Sequence, residues 1–487
     1  MASKLFRDIS ASTLQVVVNQ LAGAAVFLLT SLYLPKEVFG ELNWSVAVMT
    51  FATTLLSLRL EQLLVKKAAA GQDISGVMTI FGLHVLCSGL FCWLLLLLCS
   101  YLFPAFFSLH ALLVMISISQ LISFFSSPFK QVANGKERFG LLAVMSSSAN
   151  IVRAAGLAFT ILFSGLTVER VLLIFIAGSV AELLVSYYLV AVKMGIKLTS
   201  RVRLADYFLL LKESVHQIGA ALLMAGIARM DWILLGVFST AAFTADYSFA
   251  YRVFELSPVP LLIIAPVLLS RFAKFFSVHT EEDLLKKKDE LSTFVRAEML
   301  LATFIPLVLN LSWIPLLEPL SRGKYGHSNA TVFLLLSCCT PFQYITNLLW
   351  TIRFTQHKLK QVLQITAVTF MIILAGDLIL IPVGGKTAAA AVFLCATVVE
   401  YINYLRTSSL SRIKETWTAL LTCMAIAFTA GLLSVYFFRG LVLQLALASA
   451  FYCLLAMATG QIRKSDTAGL RRLIRKKRNP PEIPAAI

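Results

Sequence analysis

Gly, Pro and charge clusters divide this chain into fourteen apolar stretches of roughly twenty residues, the length a helix needs to cross the hydrocarbon core of a bilayer. Their approximate limits are 12–34, 42–65, 76–101, 107–129, 139–164, 169–192, 214–237, 245–270, 294–317, 328–351, 361–383, 387–405, 415–437 and 440–460. Hydrophobic residues make up 59% of the chain and charged residues 14%, with a mean hydropathy of +0.83, outside the range of soluble domains. The expected fold is an all-α polytopic membrane protein of about fourteen transmembrane helices.

Basic residues orient such a chain, because short cytoplasmic connections retain Lys and Arg. With the connections counted alternately, roughly 31 fall on the side of the N-terminus. Lys36, Arg170, Arg322, Lys324, Lys386 and Arg439 fall on the other side, while Arg59, Arg153, Arg229, Arg252 and Arg296 lie within spans. The asymmetry predicts an even number of crossings with both termini cytoplasmic. The net charge of +17 then reads as topology and attraction to anionic lipid at the cytoplasmic face, with no nucleic-acid partner. The tail RRLIRKKRNPPEIP, Arg471 to Pro484, belongs to the same signal.

Several features exclude other classes. The first span outruns a signal-peptide core and is followed by more spans, so it is expected to be retained. Cys87, Cys92, Cys99, Cys338, Cys339, Cys395, Cys423 and Cys453 all fall in apolar spans without His at metal-ligand spacing, which suits small core hydrophobes. The two longest connections, Lys193–Lys212 and Arg271–Val295, are cytoplasmic; Thr280 and Asp283 in the second have capping-box spacing for a short surface helix. Neither holds an ATPase module. The fragment PVGGKTAAA, Pro382 to Ala390, lacks the first glycine of a phosphate loop, with Leu380 in its place. Asn43-Trp44-Ser45 and Asn329-Ala330-Thr331 fit the glycosylation sequon only as chance would.

The informative residues are ionisable groups inside spans, where an Arg near the helix centre costs about 2.5–3.5 kcal/mol. Arg153 lies near the middle of span five, Arg59 and Arg252 about two turns inside spans two and eight, and Arg296 near the cytoplasmic interface. Arg229 and Asp231 share span seven at a spacing that puts them on different faces, so each needs other partners. Glu182 is near mid-depth in span six, Asp377 toward the outer end of span eleven, and Glu400 in the cytoplasmic part of span twelve. In the stretch ADYSFAYRVFELSPVP, Asp246 falls at the outer mouth while Arg252 and Glu255 lie deeper at i,i+3 and can pair. Prolines 258, 260, 266, 306 and 341 predict kinks close to these charges. Each charge alone fits a packing role as well as a functional one. As a set, the deep arginines (Arg59, Arg153, Arg229, Arg252) predict a cationic cavity for an anionic substrate, since guanidinium matches phosphate oxygens bidentately. Asp231, Glu255 and Glu182 are the candidates for a coupling-ion or charge-balancing role.

The segment SLYLPKEVFGELNWSVAVMTFATTLLSLRLEQLLVKKAA, together with RMDWILLGVFSTAAFTADYSFAYRVFELSPVPLLIIAPVLLSRFAK, resembles the polysaccharide-exporter branch of the multidrug/oligosaccharidyl-lipid/polysaccharide (MOP) superfamily, and within it Wzx-type flippases of O-antigen or related repeat units. The likeness consists of diffuse patterns at helix junctions over the first twelve spans. It implies two six-helix lobes (1–193 and 214–406) around a central cavity, joined by a linker (194–213) and followed by two further helices (407–460) and a basic tail (461–487). It also implies cavity arginines in spans two and eight, which are Arg59 and Arg252 here. The implied substrate is an undecaprenyl-pyrophosphate-linked oligosaccharide crossing by alternating access. No catalytic residue, metal or cofactor is expected, apart from a coupling ion, H+ or Na+, and the implied partners are polysaccharide polymerase and assembly proteins of the bacterial inner membrane.

Three alternatives stay open. A cation-coupled drug exporter of the superfamily is disfavoured because span one offers only Gln15, Asn19 and Gln20 where many such exporters resemble one another in carrying an acid. A peptidoglycan-precursor flippase shares the charge pattern. A membrane-embedded glycosyl polymerase or transferase is disfavoured by short, charge-poor outer loops.

Overall fold

The computed structural model describes residues 19–71, 74–199, 203–276, 283, 288–408, 414–438 and 440–463. Thr280, the tail from Arg471 to Pro484 and the start of span one lie outside them. The described residues are 88% helical, and no strand occurs among them. Buried backbone amides in lipid must be satisfied within the segment, which selects helices for runs this apolar.

Ten helices among the described residues are long and apolar enough to cross a membrane, or eleven if the bent pair Lys36–Leu56 and Leu60–Ala69 is one span. The stretches 19–33, Ala241–Phe254 and Val259–Phe276 are helical but are not among those ten. One helix, Leu359–Thr407, covers two expected spans in 49 residues. It breaks at Gly385 (φ 52°, ψ −136°), three residues beyond Pro382. That left-handed φ is open to glycine and costly to residues with a Cβ. The glycines that superficially suggested a phosphate loop therefore make a kink.

Two compact units form. The first comprises Met1–Phe249 with Thr366–Val392, the second Ala250–Ile365 with Phe393–Ile487. In chain order the first contains α1 (19–33), α2 (Lys36–Leu56), α3 (Leu60–Ala69), α4 (Ile74–Leu102), α5 (Pro104–Leu109), α6 (Ala111–Phe125), α7 (Ser127–Gly135), α8 (Phe139–Phe163), α9 (Val168–Tyr188), α10 (Leu204–Phe238) and most of α11 (Ala241–Phe254). Within it α8 packs along α9, α9 along α6, and α2 along α10. Trp44, Met49, Leu64, Phe81 and Val85 lie in its core. By contrast α4 buries only 11% of its apolar window. Leu90, Phe91, Leu94 and Leu98 stand exposed on it, as expected of a surface solvated by lipid.

Span two is not one straight helix. Leu58 (φ 46°) and Arg59 (φ 60°) are both left-handed, and the axis bends by 58° between α2 and α3. The second unit contains α12 (Val259–Phe276), α13 (Lys288–Leu320), α14 (Ala330–Ser337), α15 (Thr340–Thr355), the ends of α16 (Leu359–Thr407), α17 (Lys414–Phe437) and α18 (Leu441–Ala458). Here α13 packs against α15, α17 and α18. Pro306, Pro315 and Pro319 lie inside α13, and Pro341 opens α15. Cys339 and Cys423 are buried as the sequence suggests, whereas Cys87, Cys395 and Cys453 are exposed, a difference that follows from an apolar exterior.

Candidate functional site

The stretch that begins at Ala245 starts inside α11, whose first turn is fixed by the Thr240 hydroxyl accepting from the Phe243 amide at 3.2 Å. The helix tightens at its end, where Leu256 and Ser257 amides reach back three residues, to Val253 and Phe254 carbonyls. Pro258 and Pro260 then start α12. In the last turn Arg252 and Glu255 pair at 2.8 Å, with side chains 40% and 35% exposed. The i,i+3 pairing read from sequence is therefore present.

Asp246, expected at the outer mouth, is enclosed by the protein. It is 1% exposed, and both oxygens are taken: Oδ1 by Lys36 Nζ at 2.7 Å and Oδ2 by Lys386 Nζ. Lys386 follows directly on the Gly385 kink, and its ammonium also faces the Phe243 ring, 4.9 Å from the centroid. The helices come close enough for this because residue 40 has no side chain. A Cβ at Gly40 would sit 1.8 Å from the Ala241 carbonyl oxygen. Nearby, Trp44 Nε1 donates to the Ile233 carbonyl at 3.0 Å. Two of the few basic residues assigned to the outer side thus converge on one buried carboxylate.

Deeper in the first unit, Asp231 is 1% exposed and accepts from the Trp232 amide at 2.8 Å and from the Tyr247 hydroxyl. Arg229, two residues earlier on another face, stacks over the Trp232 ring at 5.1 Å and donates to the Ala228 carbonyl. Asp377 on α16 is fully buried within electrostatic reach of Asp231, and neither of its oxygens has a partner among the described residues.

A second polar cluster joins α6, α7, α8 and α9. Glu182, 6% exposed, pairs with Lys130 at 2.7 Å. Arg153 gives Nη2 to Ser179 Oγ (2.6 Å), Ser119 Oγ (3.3 Å) and the Phe175 carbonyl (3.4 Å), and lies 4.9 Å from the Phe175 ring centroid. Arg59, at the break between α2 and α3, reaches Glu61 only at 3.9 Å, and its Nε is buried without a hydrogen-bond partner among the described residues. Of the seven candidates, then, Arg252 is brought to Glu255, Glu182 to a lysine outside the set, Asp231 to a tyrosine, and Arg153 to hydroxyls.

In the second unit Arg296 is buried and bonded to Ser292 (2.7 Å) and Thr293 (3.1 Å). Glu298, two residues on, is 3% exposed with both oxygens unpartnered among the described residues. The sequence reading passed over Glu298. Its signal was present in the spacing, because Leu291, Val295, Glu298 and Ala302 share one helix face whose other three members are apolar. Among the described residues no cluster of three His, Cys, Asp or Glu is placed to hold a metal.

The fold is shared with solved MOP superfamily transporters. It superimposes on the lipid II flippase MurJ in its inward closed conformation with a TM-score of 0.70, covering 92% of this chain and 98% of that one at 13% identity. An inward-facing MATE family multidrug resistance transporter gives 0.62 over 82% and 96% at 14% identity. A MOP superfamily transporter from Pyrococcus furiosus gives 0.57 over 85% and 95% at 12%. At such identities the likeness is one of fold. The model of the polysaccharide biosynthesis protein family matches residues 5–276, more than half of the sequence, and the chain belongs to that family. No protein of curated function matches the sequence.

Proposed function

We propose that this protein is a flippase that moves an undecaprenyl-pyrophosphate-linked oligosaccharide, an O-antigen, capsule or exopolysaccharide repeat unit, across the bacterial inner membrane by alternating access of lobes 1–193 and 214–406. Both termini are cytoplasmic in this reading. Polysaccharide polymerase and assembly proteins receive the product, and anionic lipids hold the basic face. The observation that carries it is the Arg252–Glu255 pair, a guanidinium in an apolar segment with a single carboxylate partner among the described residues and 40% of its side chain accessible. A pyrophosphate presents two adjacent sets of oxygens to such a fork and can displace one carboxylate, which then accepts a counter-ion or proton.

Arg59 is the second phosphate ligand in this reading, because among the described residues its guanidinium has no carboxylate nearer than Glu61 at 3.9 Å. Arg153 and Arg229 are further cationic candidates, the first held by serine hydroxyls and the second against Trp232. Asp231 and Glu182 balance charge or bind the coupling ion, H+ or Na+. Reconstitution with a labelled lipid-linked oligosaccharide, scored for protection on each leaflet, tests the function. Arg252→Ala is expected to slow transfer with expression retained, and cells without the gene to accumulate the repeat unit on the inner leaflet. Transfer of a lipid-linked peptidoglycan precursor or of a cationic drug, with none of the oligosaccharide, would overturn the reading in favour of those substrates.

A further inference from the structure

Along α13 the residues Leu291, Val295, Glu298 and Ala302 lie on one face, and the three apolar ones are buried in the second unit's core beside Met299. Glu298 therefore projects into hydrocarbon. Its burial is 97% complete by exposure, and no donor reaches either oxygen among the described residues. The ionisable groups of the elements that surround this core do not bond Glu298 among the described residues. On its own helix Arg296 bonds Ser292 and Thr293. From α15 the Tyr344 hydroxyl donates to the Ser257 carbonyl at 3.0 Å, and Arg353, at the far end, bonds Gln356. From α18 Tyr452 bonds Thr303 and the Leu300 carbonyl. From α16 and α17, Tyr401, Tyr404 and Cys423 share the same cluster. None of these is a cation within salt-bridge reach of Glu298 among the described residues.

An ionised carboxylate with no donor in such surroundings carries a penalty of several kcal/mol, which binding a proton removes. A metal ion would need further oxygen ligands, and among the described residues no second carboxylate joins this one. The helix also has a weak point next to it. Pro306 lacks the amide that would bond the Ala302 carbonyl, one turn beyond Glu298. A cavity of about 340 Å³ opens there, lined by Thr303, Pro306, Asn310, Ser337 and Cys338 among others. Asn310 and Ser337 hydrogen-bond across it at 2.8 Å.

We propose that Glu298 is a proton-binding site that the transport cycle loads and unloads. In the packed conformation it is the neutral acid. When α13 flexes at Pro306 and admits water, the O–H bond breaks, the proton leaves as hydronium, and the carboxylate remains until the helix repacks and reprotonates it. This deepens the flippase reading and rests on it for the identity of the cargo.

The test uses the full chain in proteoliposomes with labelled lipid-linked oligosaccharide. A gradient of one pH unit should shift the wild-type steady-state distribution between leaflets by about tenfold for one proton per cycle. Glu298→Gln, which mimics the neutral acid, should equilibrate the substrate but show the same distribution with and without the gradient. Glu298→Asp should restore part of the shift. In parallel, infrared difference spectra of the protein in lipid, taken between acid and alkaline buffer, should contain a protonated-carboxyl band that is absent in Glu298→Gln and kept in Glu400→Gln. If wild type transfers the oligosaccharide and Glu298→Gln answers the gradient equally, the proton site is wrong and the flippase stands. If wild type transfers nothing, the flippase reading fails, and the infrared band alone decides: its loss in Glu298→Gln supports the proton site, and its persistence overturns it.

Discussion

Asp246 and Glu255 belong to one short stretch of sequence and meet opposite fates. Asp246 is a carboxylate with 2% of its side chain accessible and two ammonium groups on its two oxygens. Glu255 has one guanidinium partner and 35% of its side chain accessible. In low dielectric the first arrangement loses several kcal/mol if any member is removed, because the remaining charges stay buried. The second is partly exposed, and where water reaches the pair, breaking it costs about 1 kcal/mol or less. The same residue type thus makes a structural clamp in one place and an exchangeable partner in the other.

The contrast breaks first at the clamp. Asp246→Ala should leave Lys36 and Lys386 facing each other and destabilise the protein by about 3–5 kcal/mol, measured as a lower melting temperature in detergent and a lower yield. A wild-type melting curve would mean that the clamp is not structural. Gly40→Ala should follow, since the new Cβ meets the Ala241 carbonyl; the expected cost is about 1–3 kcal/mol in the same assay.

At the exchangeable pair the loss should appear in transport. Arg252→Ala should reduce oligosaccharide transfer by about tenfold, equivalent to about 1.4 kcal/mol, with the melting temperature nearly unchanged. Arg252→Lys should recover part of it, because charge is kept and the planar fork is not. The smallest effect is expected at the exposed Lys67–Glu213 pair, 3.1 Å apart. Lys67→Ala should change stability by no more than about 0.5 kcal/mol and leave transport as it was.

Local periodicity made much of the fold legible. Apolar runs located the long helices, and the i,i+3 spacing of Arg252 and Glu255 foretold a bond that needs only one helix to form. Of the prolines, Pro258 and Pro341 stand at helix starts, whereas Pro266 and Pro306 lie inside continuous helices. What the sequence concealed depends on distant partners. Asp246 meets a lysine 140 residues away, and no pattern within either segment records that. Arg153 is held by serines, which composition cannot tell from ordinary helix surface. The break at Leu58 and Arg59 was hidden because neither residue is the glycine or proline that usually marks one. Glu298 was overlooked for a different reason: a single acid in an apolar stripe looks like noise until its burial is known.

The clamp also has a consequence for biogenesis. Lys36 emerges from the ribosome long before Asp246, and Lys386 long after it, so for much of synthesis the first lysine has no carboxylate to meet. Asp246 in turn has only one of its two cations until the kink at Gly385 has been made. Because chains mature from the N-terminus, the order of translation postpones completion of this triad until most of the helices have been synthesised. A truncation ending before Lys386 is then an assembly intermediate with its buried carboxylate half neutralised.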